Sequence, residues 1–153
     1  MYTRRRVGDR FEGEVGQGGV LREVAALHVA SVWPFAREWV QTAMEHGDGE
    51  WDEKCLRDRL DCGNLRLLLA IEGVVRGVLV CQICDGPKQR EAHVLYAAGP
   101  SFTLDKDWVE KELVEWAKAN RAEVLQAFAR PAVSRLLSAN GWKETYRVVR
   151  KRL

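Results

Sequence analysis

Long apolar runs are missing from this chain. No stretch comes near the roughly 18 to 20 consecutive apolar residues that a membrane-crossing helix needs, and Met1 to Arg10 is followed by no signal-peptide core, so a cytoplasmic protein with no membrane partner is expected. Cysteine is scarce: Cys55, Cys62, Cys81 and Cys84 are too few for a disulfide scaffold, and free thiols are expected. Cys81-Gln-Ile-Cys84 has CxxC spacing, but residues three apart on a strand point to opposite faces, and Cys55 and Cys62 are not tightly paired, so no metal site is expected. Charge of one sign is also missing. Lys and Arg number 24 against 22 Asp and Glu, a net charge of +2 that argues against nucleic acid as an obligate partner. The only histidines are His28, His46 and His93, and none stands near a Gly-x-Ser-x-Gly elbow. No Gly-x-x-x-x-Gly-Lys-Ser/Thr loop occurs, which leaves nucleotide hydrolysis without support.

What is present is an ordinary core-forming composition, 46% hydrophobic in 153 residues, enough for one globular domain. Residues 1–19 mix Arg, Gly and acids without a period and read as a flexible arm; the domain proper spans 20–153. Val20 to Val24 reads as a short strand. Leu27, Val32, Phe35, Ala36, Trp39, Val40 and Ala43 recur at helical spacing from Ala25 to Met44, with Pro34 as a start or break. Asp52 to Leu60 predicts a second helix. Leu65 to Ile71 and Val74 to Cys84 predict two antiparallel strands turning at Glu72-Gly73, and Glu91 to Ala98 a third. Asp105 to Asn120 is strongly amphipathic, with Trp108, Val109, Leu113, Trp116 and Ala117 on one face. Val124 to Phe128 predicts a strand, Pro131 to Ser138 a helix bounded by Pro and Gly141, and Lys143 to Lys151 a terminal strand. The order implies an α/β domain on a mixed sheet.

This order, together with the segment Ala132-Val133-Ser134-Arg135-Leu136-Leu137-Ser138-Ala139-Asn140-Gly141-Trp142, resembles the GNAT N-acetyltransferase superfamily over residues 20–153. The texture is also similar to small GNAT-like proteins of tailed bacteriophages. The resemblance implies a GNAT-like mixed, mostly antiparallel central sheet flanked by helices. It also implies transfer of an acetyl group from acetyl-CoA to an amine by direct attack in a ternary complex.

In that family a Gln/Arg-x-x-Gly-x-Gly/Ala turn before the long helix holds the coenzyme pyrophosphate on backbone amides and a helix N-terminus. The matching stretch is Ala97-Ala98-Gly99-Pro100-Ser101-Phe102-Thr103-Leu104-Asp105. It keeps one glycine, adds Pro100 without an N–H, and places Asp105 and Asp107 where a phosphate disfavours them, so the cradle is degenerate. Ala98, Gly99, Ser101 and Thr103 are its candidate contacts. The family's tyrosine acid, four residues before the Gly-aromatic pair, corresponds to Leu137, which leaves Tyr96 or Tyr146 as substitutes. Glu91 and His93, two apart on one strand face, are the candidate bases, although two polar residues on a half-exposed strand explain the same letters. Trp33, Trp39 and Trp51 cluster on the side that shapes the acceptor site in the family, either as packing residues or as an interface. The alternative is a non-catalytic GNAT-fold module with a protein partner, such as a phage virion, assembly or host-interaction protein, located in the host cytoplasm or the virion.

Overall fold

The computed structural model describes residues 18–47, 51–100 and 106–153. Within them the chain runs β1 (Val20–Val24), a 3-10 turn (Ala26–His28), α1 (Val29–Glu45), α2 (Glu53–Asp61), β2 (Arg66–Glu72), β3 (Val74–Asp85) and β4 (Arg90–Ala98). It continues through α3 (Asp107–Ala119), β5 (Val124–Ala127) and α4 (Pro131–Ser138). The strands form one sheet in the order β1-β2-β3-β4-β5. The first three pairings are antiparallel and the last, β4 with β5, is parallel. This is the mixed, mostly antiparallel sheet flanked by helices that the sequence predicts.

Each face of the sheet carries its own core. Val29, Trp33, Ala36 and Val40 recur at spacings of four, three and four, so one stripe of α1 is buried. With Leu56 and Leu60 of α2 it packs on Leu65, Leu67, Val78 and Val80. Asp52 caps α2 by accepting the Cys55 amide at 2.8 Å. On the opposite face Val109 and Leu113 of α3 meet Leu68, Ala70, Leu79, Cys81 and Val94. Strand alternation divides β2 and β3 between these cores, which is why both read as nearly continuous apolar runs.

Two close fits set the sheet's outer edge. A Cβ on Gly19 would collide with the Ile71 carbonyl and lie 2.8 Å from the Trp108 ring, so only glycine lets the chain enter β1 beneath that indole. Beside it, Glu23 accepts the Trp116 indole N–H at 2.8 Å and pairs with Arg66 at 3.1 Å, tying β1 to β2 and α3.

Three expectations are corrected. Lys143 to Lys151 is not a strand: Tyr146, Val148 and Val149 have the right propensity but no ladder, and they remain exposed. Pro34 lies inside α1 and neither starts nor ends it, although its missing N–H removes one helical bond. Leu27 and Phe35 face solvent, because the buried stripe runs through Val29 and Trp33 instead. The expected N-terminal arm lies outside the described residues except for Gly18 and Gly19.

Candidate functional site

A bulge in β4 interrupts the β3–β4 ladder. Val80 pairs with Tyr96 and Cys81 with Val94, so Leu95 is an extra residue on β4. Leu95 and Tyr96 therefore both pack against the α1 core, while Val94 and Ala97 pack against the α3 core. On its other side β4 pairs with β5 only from Glu91↔Val124 to Val94↔Ala127, although β4 continues to Ala98. One more bond, from the Phe128 N–H to the Val94 carbonyl at 3.2 Å, closes the ladder. Past that point β4 continues to Ala98 while β5 has ended at Ala127.

Within this ladder, Glu91 and His93 point to the α1 side. His93 Nε2 lies 2.7 Å from Glu91 Oε1, and Gln89 Nε2 donates to Glu91 Oε2 at 3.2 Å. These bonds, His93 first and Gln89 second, hold the Glu91 carboxyl below the usual carboxylate range, so it is ionised at neutral pH. A carboxylate only accepts, so Nε2 is the donor, and the neutral tautomer that makes this bond carries its lone pair on Nδ1. Nδ1 faces Cys84 Sγ at 3.7 Å. The ring also meets Phe128 edge to face, with centroids 5.7 Å apart.

Cys84 reaches this place through strand register. It pairs directly with Glu91, while Gln82 pairs with His93, so the thiol lies diagonally across from the imidazole. Burial, then the charges of Glu91 and Asp85, push the Cys84 thiol up, and Arg90 bonds Asp85 at 2.8 Å. Sequence reasoning considered Cys84 only beside Cys81, as a free thiol on the opposite strand face, and missed this contact with His93. Counting outward from the turn, where the Gly86 N–H donates to the Gln89 carbonyl, places residue 84 opposite 91 and would have found it.

The other candidates come from other elements. Tyr146 is largely exposed in the segment after α4, and its hydroxyl accepts from Gln126 Nε2 at 3.5 Å, Gln126 being the β5 register partner of His93. Leu137 is buried, as an apolar side chain in that helix should be. Ala98 ends β4 and Gly99 follows it, both half-buried, whereas Ser101, Phe102 and Thr103 lie outside the described residues. The N-terminus of α3 has no side-chain cap, and Asp107 and Glu110 occupy its first turn. A helix N-terminus suits a phosphate, and the acids of this one oppose it.

Cys81 is fully buried on the α3 side, opposite Cys84, and no metal-binding group of His, Cys, Asp and Glu occurs among the described residues. Trp33 is buried, Trp39 and Trp51 pack against the same core, and Arg57 and Arg59 lie over Trp33 and Trp51, each 5.4 Å from the ring. The tryptophan cluster is therefore mainly packing. No helix among the described residues is long and apolar enough to cross a membrane.

No family model matches the sequence, and no curated protein sequence matches it either. Solved structures do. An aminoglycoside acetyltransferase from an uncultured soil metagenomic sample, solved with trehalose and with sisomicin, superposes with a TM-score of 0.62 at 12% identity over 91% of this chain and 99% of that one. Aminoglycoside N-acetyltransferase AAC(6′)-Iy in complex with CoA gives 0.56 at 21% identity over 88% and 94%. A ribosomal-protein-alanine N-acetyltransferase from Brucella melitensis gives 0.61 at 12% identity over 87% and 99%. At these identities the likeness is one of fold, and the fold is that of the GNAT acetyltransferases.

Proposed function

We propose that this protein is a GNAT-type N-acyltransferase, with residues 20–153 as its single domain, that moves an acetyl group from acetyl-CoA to an amine. The observation that carries this reading is the end of the β4–β5 ladder at Val94, with β4 continuing to Ala98, beside the half-buried Glu91–His93 pair. A thioester lying along the part of β4 beyond this ladder would meet strand-edge amides and a general base together. His93 takes the amine proton, and Glu91 orients the ring and stabilises its charged form.

The coenzyme would rest on Ala98, Gly99, Ser101 and Thr103 and on the N-terminus of α3. Bound there it supplies an activated acyl carbon. The acidic first turn of α3 works against this arrangement, and it favours the second reading, a non-catalytic module of the kind tailed phages encode, which binds a protein through the same fold.

Isothermal titration with acetyl-CoA, with CoA as control, separates the two readings. The acyltransferase should bind saturably at micromolar concentration and gain thermal stability, because a ligand of the native state alone shifts the unfolding equilibrium. Absence of binding at millimolar coenzyme overturns it in favour of the module.

A further inference from the structure

We infer that Cys84 is an acyl-accepting nucleophile, activated by His93 and oriented through Glu91, so that the acyl group passes through a covalent thioester on the protein. The inference rests on the acyltransferase reading for its donor, an acyl thioester, and replaces the direct attack that the resemblance implies. Three side chains line up as such chemistry requires. Cys84 Sγ lies 3.7 Å from His93 Nδ1, and His93 Nε2 lies 2.7 Å from Glu91 Oε1. Gln89 holds the other carboxylate oxygen at 3.2 Å. Nucleophile, base and orienting group thus follow one another in a chain of contacts, each in reach of the next.

The rest of the surroundings fits. The arrangement sits on two paired strands joined by a short turn, a rigid base for the relay. Phe128 holds the imidazole from its edge. Cys84 is half-buried, so solvent and a small acyl group can reach it, whereas Cys81 cannot be reached. The thiol rests protonated, which calls for removal of its proton during attack rather than before it.

The steps balance. The Cys84 sulfur attacks the acyl carbon while its proton passes to His93 Nδ1; the new sulfur–carbon bond forms, and the donor's carbon–sulfur bond breaks. The departing thiolate takes that proton and leaves as a thiol. An amine then attacks the acyl-cysteine, His93 accepts the amine proton and returns it to the Cys84 sulfur, and an amide is released. Nothing is oxidised or reduced.

The test is intact-protein and peptide mass spectrometry of the full chain after incubation, without an amine acceptor, with acetyl-CoA and separately with S-acetyl-N-acetylcysteamine, the same thioester without the nucleotide. One hydroxylamine-labile acetyl group is expected on Cys84. Cys55 and Cys62, exposed and without a histidine partner, serve as internal controls. Labelling should vanish in Cys84→Ala and slow by about a hundredfold or more in His93→Gln, with Glu91→Gln between. Labelling by the small thioester alone upholds the relay and overturns the coenzyme reading. Coenzyme binding without acetyl-Cys84, or equal labelling of Cys55 and Cys62, overturns the relay and leaves the acyltransferase reading in place. Failure of both donors overturns the relay, and coenzyme titration then decides the other reading.

Discussion

Glu91 shows how much a single contact decides. Its carboxyl is held low by His93 and then Gln89, and a depressed acid contributes stability that is present above its unfolded value and lost as the pH falls through its folded value. Glu91→Gln should therefore lower the urea midpoint at neutral pH, and the gap to the parent should close on acidification below the ordinary carboxylate range. A gap that persists there would mean that the side chain acts by packing. The pair was legible in the sequence, because residues two apart on a strand share a face. Its third member was not. Cys84 lies seven residues from Glu91 in the chain, and only the register across the Gly86 turn brings the two opposite each other. Tyr146 reaches the same neighbourhood by another route, through Gln126, the register partner of His93, from a segment without a ladder of its own.

Among the elements, those with a strong period were the most legible. α3 and α4 lie where amphipathicity and the Pro-in, Gly-out pattern put them, and the hairpin at Gly73, whose φ is 80°, follows from its Glu-Gly turn. The segment 143–151 was misread because β propensity describes how side chains suit a sheet, and a ladder also needs a neighbouring edge in register. The bulge at Leu95 leaves no mark in the letters, since Val94-Leu95-Tyr96 is apolar whichever face each residue takes. Entry into β1 is a steric matter that can be tested. Gly19→Ala should cost about 1 to 3 kcal/mol, read as a lower urea midpoint, because a methyl group there meets the Ile71 carbonyl and the Trp108 ring. An unchanged midpoint would show that the strand end shifts freely.

In the domain as a unit, two cores on opposite sides of one sheet support a site that belongs to neither, at the place where the sheet's single parallel pairing ends. Fold class was within reach of the sequence because element order and period depend on many residues at once. The site depended on a few contacts made across strands. The strand order has a further consequence, for assembly. Neighbours in the sheet are also neighbours in the chain from β2 to β4, separated by one glycine and then by four residues, whereas β5 joins only after the chain has passed through α3. Pairs of small sequence separation cost less loop entropy to close. Pulsed amide exchange during refolding should therefore protect β3 and β4 before β5, and simultaneous protection would contradict this. On a ribosome, Cys84, Glu91 and His93 would then stand together while the strand that completes their surroundings is still being synthesised.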